Sequence, residues 1–260
     1  MNIVVFIKRV PDTESRIRIE ANGKAVVMDG LNFVLSPYDE YAVEEALRLR
    51  EIHGGKVTVF TAGPDEGLHM LRKCLAMGAD EAVLIRDAGG ETYDGLRTAR
   101  ILAAALKKKH PDFDLLLFGK QAVGTDNSQV PSMVAELMGL PQVNVVVKLE
   151  IQGGSGTAYR EIEGGQEKVA FPLPAVISAQ KGLNEPRYET LKGIMAAKRK
   201  EIPVLTLETL GLKPEELATG VEIAGIGLPP VKQPGKIITA EPQEAARRIV
   251  EFLRRDAKVI

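Results

Sequence analysis

The strongest chemical candidate in this chain is one run of twelve residues, Gly119-Lys120-Gln121-Ala122-Val123-Gly124-Thr125-Asp126-Asn127-Ser128-Gln129-Val130. Its small and polar residues let backbone amides come close to a ligand. Asp126, Asn127 and Ser128 are each candidates to cap a helix that follows, and the unbonded amides at a helix start favour an anion. Lys120 adds positive charge. An ordinary connection from strand to helix has the same composition. Neither this loop nor the residues after the first strand carry a glycine-rich dinucleotide or P-loop fingerprint.

The other polar groups read as structural. Glu44-Glu45 and Glu161-Ile162-Glu163 are expected on solvated faces. His53 and His69 fall on predicted helices as surface residues, and with His110 they lie too far apart in sequence for metal-ligand spacing. Cys74 sits within an amphipathic helix and is expected in the core. Lys107-Lys108-Lys109 closes a helix, where positive charge suits the dipole. Lys198-Arg199-Lys200 does the same or attracts an acidic partner. No nucleophile stands beside a base, so catalysis finds little support.

The elements that must position the loop alternate along the first half. Apolar runs at Ile3–Ile7, Val57–Phe60, Glu81–Ile85 and Leu115–Phe118 predict strands covered on both faces. Helices are predicted between and after them. Ser36-Pro37 is a cap followed by a first-turn proline, and Gly54-Gly55 ends that helix. Leu68, Leu71 and Leu75 mark a second helix, and Leu96, Ala99, Leu102, Ala103 and Leu106 a third. Val130, Met133, Val134 and Leu137 mark a fourth, closed by Gly139-Leu140-Pro141. Strands separated by such helices form a parallel sheet through right-handed crossovers. Ligands of such sheets bind beyond the carboxyl ends of the strands. After Pro141 the pattern becomes an antiparallel meander: Val143–Ile151, Thr157–Ile162 and Glu167–Phe171, joined by glycine turns. Leu173–Ser178 is a further strand. Leu228 to Gly235 reads as a linker, and residues 241–255 as an amphipathic helix with Ala245, Ile249, Phe252 and Leu253 on one side.

The expected fold is therefore α/β: a Rossmann-like parallel sheet flanked by helices, with an antiparallel β meander and an extended C-terminal arm. The expected organisation is residues 1–200 as the α/β domain and 201–260 as the arm, which either folds back or wraps a partner. Composition agrees. The chain has 260 residues, 45% hydrophobic and 27% charged, enough for a sizeable core, and its net charge of −1 gives no field for nucleic acid or a membrane surface. A single cysteine excludes a disulfide framework and a cysteine-based metal cluster, and it points to a reducing, cytoplasmic setting. No apolar run reaches the ~18 residues of a membrane span. The opening Met1–Lys8 has no basic segment before its apolar run and reads as a buried strand.

The stretch Ala158-Tyr159-Arg160-Glu161-Ile162-Glu163-Gly164-Gly165-Gln166-Glu167, continuing to Leu173-Pro174-Ala175-Val176-Ile177-Ser178, resembles the beta subunits of electron-transfer flavoproteins. Val5–Val10, Ser36–Asp39 with Ala42–Ala46, Ala76–Asp80, Gly119–Ala122 and Leu183–Tyr188 with Ile194-Met195 agree, in order and at compatible spacing. The resemblance covers essentially the whole chain. It implies an electron carrier, not an enzyme, that pairs with an alpha subunit holding most of the FAD contacts. It implies a structural AMP in this subunit, or a second FAD in the electron-bifurcating branch; the Glu161–Gly165 stretch is more similar to the AMP-holding branch. Electrons would come from flavin-dependent dehydrogenases, such as acyl-CoA dehydrogenases, and leave to a quinone oxidoreductase or other acceptor. By position, the nucleotide contacts implied are Phe6, Ser36, Pro37, Tyr38, Asp39, Ala62 and Gly119 through Val130, which include the loop chosen on chemistry. Tyr38 would lie near the partner's flavin. Leu183, Asn184, Glu185, Pro186, Arg187 and Tyr188 would recognise the dehydrogenase, with Leu183 as an inserted anchor. Without the resemblance, Leu183 reads as tucked onto its own domain.

Two other readings use the same fold. A nucleotide-hydrolysing enzyme would want a glycine- and serine-rich loop after the first strand, where Lys8-Arg9-Val10-Pro11-Asp12 stands. A plain nucleotide-binding module would need neither the meander nor the arm.

Overall fold

Alternating residues of one short strand build the cores on both sides of the sheet. In the computed structural model, which describes residues 1–87, 94–231, 234–235 and 237–260, β1 (Asn2–Phe6) directs Ile3 and Val5 to one face and Val4 and Phe6 to the other. β6 (Leu115–Gly119) repeats this, with Leu115 and Leu117 on the first face and Leu116 and Phe118 on the second. Both faces are covered, so these strands read as unbroken apolar runs. α1 (Pro37–His53) and α2 (Gly67–Met77) pack on the first face through residues such as Leu47 and Leu71. α3 (Gly95–Lys109) and α4 (Val130–Met138) pack on the second through Ile101, Leu106 and Val134.

The remaining strands are β2 (Arg9–Pro11), β3 (Phe33–Leu35), β4 (Lys56–Gly63), β5 (Glu81–Arg86), β7 (Gln142–Gln152), β8 (Ser155–Ile162), β9 (Gly165–Pro172), β10 (Ala175–Ala179) and β11 (Val204–Thr206). β2 and β3 form a separate antiparallel ribbon. The main sheet has the order β11-β5-β4-β1-β6-β10-β7-β8-β9. Its strands are parallel from β11 through β7, and β8 and β9 extend it as antiparallel hairpins. The expected α/β fold, parallel sheet and meander are thus present. The meander is continuous with the main sheet, because β10 inserts between β6 and β7 and pairs with both.

The sheet also runs past the boundary expected at residue 200. β11 pairs with β5, and Leu205, Leu207, Leu210 and Leu212 pack on the second core, where Leu217 is buried. Beyond it the described residues contain one regular element, α6 (Pro242–Arg255), with no buried residue. In the stretch 228–235, Lys232 and Gln233 lie outside the described residues; the others form neither helix nor strand. No helix among the described residues is long and apolar enough to cross a membrane.

The chain moves outward from β1 through β4 to β5, then returns to the other side of β1 as β6. The order therefore reverses between β1 and β6, and such a reversal opens a crevice at the carboxyl ends of the strands.

Candidate functional site

A cleft lies at that reversal. It is lined by Phe6, Ile7 and Lys8 at the end of β1, Ala62 on β4, Phe118, Gly119 and Lys120 at the end of β6, and the start of α3. The cleft has a cavity volume of about 110 Å³ and opens to solvent at its mouth. Its floor is apolar: Phe6 stacks on Phe118 at 4.8 Å between centroids, beside Ile101 and Leu102. Its rim is polar and comes from the loop 119–130.

The loop is held by its own side chains. Gln121 donates from Nε2 to Asp126 Oδ1 at 2.6 Å and accepts from Ser128 Oγ at 2.8 Å. The Ser36 hydroxyl donates to the Gln121 carbonyl at 3.4 Å. Asp126 and Ser128 take positive φ, 46° and 51°, a conformation uncommon for residues other than glycine and one from which backbone anion nests are built. This geometry delays the helix. α4 begins at Val130 with Gln129 as its N-cap residue, and no side chain caps it. The expectation that Asp126, Asn127 or Ser128 would cap the helix is corrected on this point: Asp126 and Ser128 are spent on the loop's internal bonds. The consequence is an α4 start whose amides face the cleft region without a side-chain cap.

The cleft's carboxylates are each held by protein donors. Asp39 is buried in the first turn of α1, and accepts from the N–H of Lys8 at 2.7 Å and of Gly119 at 3.0 Å. Burial raises its pKa to about 7 against the pull of those bonds. Asp94 caps α3, accepting from Leu96 and Arg97, and also accepts from Gly220 at 2.9 Å. Burial pushes its pKa up, but these backbone bonds outweigh it and hold the carboxyl below its ordinary value. Asp87, beyond β5, makes a two-oxygen pair with Arg97.

Of the residues expected at the nucleotide, Phe6, Asp39, Ala62, Gly119, Lys120, Gln121, Ala122, Thr125, Asn127, Ser128, Gln129 and Val130 line this cleft. Ser36, Pro37, Tyr38, Val123, Gly124 and Asp126 are not among its lining residues. Ser36 and Asp126 shape the loop instead, and Lys120 Nζ lies 6.0 Å from the Tyr38 ring centroid at the rim. The sequence reading missed Lys8, Asp87, Asp94, Gly95, Thr98, Ile101 and Leu102. Asp94 had a visible signal, an N-cap residue directly before a helical pattern. Gly95, Thr98, Ile101 and Leu102 enter the site because α3 crosses the sheet at the reversal, and Lys8 and Asp87 because they follow the ends of β1 and β5.

The expected recognition segment holds two corrections. Leu183 is not an exposed anchor: it is 9% exposed and part of the first core. Glu44 and Glu45 are not solvated: they are 5% and 6% exposed, and they hold the segment to α1. Arg187 donates from Nε and Nη2 to the two oxygens of Glu44 at 2.7 and 2.9 Å. Asn184 donates to Glu45 at 2.9 Å and to the Tyr41 carbonyl at 3.0 Å. The exposed apolar residues lie further on. Tyr188 is 93% exposed, and Leu191 and Met195 of α5 (Leu191–Arg199) follow at helical spacing, 84% and 55% exposed.

The chain is similar to known proteins along its length. A family model described as the electron transfer flavoprotein domain matches residues 24–210. The electron transfer flavoprotein subunit beta of Bacillus subtilis is 42% identical over the full length of both chains. The protein of that name from Thermoanaerobacterium thermosaccharolyticum is 39% identical, over 97% of this chain and 98% of its own. That of Mycobacterium tuberculosis is 38% identical, over 97% of each. A family model over residues 24–210 and relatives of this identity across the whole length show that the chain belongs to the electron transfer flavoprotein family as a beta subunit.

Proposed function

We propose that this chain pairs with an electron transfer flavoprotein alpha subunit, holds an AMP in the cleft between β1 and β6, and helps enclose the alpha subunit's FAD. It acts as a carrier half and not as an enzyme. The observation that carries the nucleotide reading is the uncapped start of α4 beside an apolar floor at the strand-order reversal. The Val130 and Ser132 amides of that first turn suit a phosphate, with Asn127, Ser128 and Lys120 at the rim. Phe6, Phe118, Ile101 and Leu102 suit the apolar faces of a nucleoside and exclude water from it. The FAD supplies the electron-accepting and electron-donating chemistry. The Tyr38 ring, in the first turn of α1 beside the rim, is the aromatic of this chain set toward that flavin.

The pairing reading rests on the arm. Leu228, Val231, Ile237, Ile249 and Val250 are exposed apolar side chains, and covering them against the alpha subunit would build a permanent interface of ~2,000 Å² or more. Electrons are taken from flavin-dependent dehydrogenases, acyl-CoA dehydrogenases among them, and given to a quinone oxidoreductase or a comparable acceptor. With Leu183 buried, the surface that meets the donor is Tyr188, Leu191 and Met195.

The test is mass spectrometry of nucleotides released from the purified, denatured complex. AMP at one per copy of this chain is expected. FAD at one per copy of this chain, beyond that of the alpha subunit, would replace the AMP reading with that of a second FAD. A cleft without any nucleotide would overturn both.

A further inference from the structure

Two adjacent carboxylates in the buried middle of a helix need a reason. A helix that had only to pack on the sheet would carry apolar residues at positions 44 and 45, because burying an ionised carboxylate is costly unless it is paired. Glu44 and Glu45 find their partners about 140 positions later in the chain. Arg187 closes a bidentate fork on Glu44 and adds its backbone N–H to the same carboxylate at 3.1 Å. Its remaining Nη1 reaches Glu51 at 2.6 Å, one helical stretch further along α1. Asn184 joins Glu45 and Tyr41. The far end of the segment is also fixed. Thr190 caps α5 by accepting from Gly193 at 3.0 Å, and Gly193 lies so close to the Ala76 carbonyl of α2 that a side chain there has no room.

Tyr188, Leu191 and Met195 thus project from a backbone tied down on both sides. A carrier that must release its donor after each electron transfer gains little from a large interface, and the entropy of ordering a loose loop would subtract from what few contacts it makes. Fixing the loop beforehand removes that loss. Resting on the docking surface proposed above, we infer that Arg187 is a positioning residue for electron-donor docking: its fork on Glu44, seconded by Asn184 on Glu45, holds the Tyr188–Leu191–Met195 surface in its binding shape. The same helix carries Asp39 of the nucleotide cleft five residues before Glu44, about 7.5 Å of helical rise. α1 therefore sets the docking surface in register with the cleft.

The experiment uses the complex of this chain with its alpha subunit, reduced by a purified acyl-CoA dehydrogenase with its acyl-CoA, and separately by dithionite, which needs no docking. Arg187→Lys keeps the charge and loses the fork. It is expected to raise the KM for the carrier about fivefold, with kcat, flavin content and dithionite reduction unchanged. Glu44→Gln should do the same, and the double variant should be no worse than either single one. Amides 184–190 should exchange hydrogen faster in each. Asn184→Ser gives the milder form of the effect if the other variants fold poorly. Leu191→Ala tests the docking surface itself. If Leu191→Ala raises KM and the Arg187, Glu44 and Asn184 variants do not, the positioning role is overturned and the docking surface stands. If Leu191→Ala leaves KM unchanged, the surface is wrong and the positioning role falls with it.

Discussion

The Asp39 carboxylate accepts the backbone N–H of Gly119 at 3.0 Å, across 80 residues of sequence. Its other oxygen accepts from Lys8 at 2.7 Å. One buried side chain thus joins the first turn of α1 to the ends of both strands that frame the cleft.

That junction makes stability depend on pH with a definite sign. Burial raises the Asp39 pKa from 3.8 to about 7, so the folded state holds a proton that the unfolded state has released. The contribution is fully present below pH 3.8 and is lost as pH rises through about 7. The slope from this group is at most about 1.4 kcal/mol per pH unit. Glu45, raised by burial, acts in the same sense. The melting temperature of the wild type should fall relative to that of Asp39→Asn as pH rises across this range. Parallel curves would remove Asp39 as the source.

Gly119 is needed for the same contact. A Cβ there would strike Asp39 Oδ1, and would come within 2.7 Å of the Asp39 nitrogen and the Tyr38 carbonyl carbon. These are backbone atoms that cannot step aside. Gly119→Ala is expected to destabilise the chain by about 1–3 kcal/mol and to weaken nucleotide retention. Denaturant unfolding and nucleotide content of the purified variant check both.

Leu183 and Leu191 should respond in opposite ways. Leu183→Ala opens a cavity in the first core and is expected to cost about 2–5 kcal/mol of stability, with donor recognition affected only through folding. Leu191→Ala removes an exposed side chain and should change the stability by no more than about 0.5 kcal/mol, the small range of surface changes. Thermal unfolding of the two variants side by side decides this.

The Asp87–Arg97 pair should be sensitive to loss of one partner. Both side chains are nearly buried, so Arg97→Met takes the guanidinium away from the Asp87 carboxylate beside the cleft and should cost up to about 3–5 kcal/mol. Replacing both partners by apolar residues should recover part of the loss. A double variant as unstable as the single one would show that the pair also supports the fold by packing.

Local pattern carried much of this protein. Apolar runs of four or five residues, bounded by Gly54-Gly55, Gly63-Pro64 or Gly139, marked the strands and helices, because periodicity and turn chemistry act over a few residues. The loop 119–130 was visible for the same reason: its small and polar composition is a local property. Strand order was not visible. Nothing local says that β10 enters between β6 and β7, or that β11 closes the other edge beside β5. The lining supplied by Thr98, Ile101 and Leu102 was hidden likewise, since those residues meet the loop only through the crossing of α3. Glu44-Glu45 misled for a physical reason. Adjacent acids on a helix look solvated until a guanidinium and a carboxamide arrive from residues 184–187. Sequence alone determined which segments are strands and helices and which loop between them is small and polar. Tertiary structure alone decided which carboxylates are buried, which leucine faces water and which helix walls the cleft, because burial depends on contacts between residues far apart in the chain.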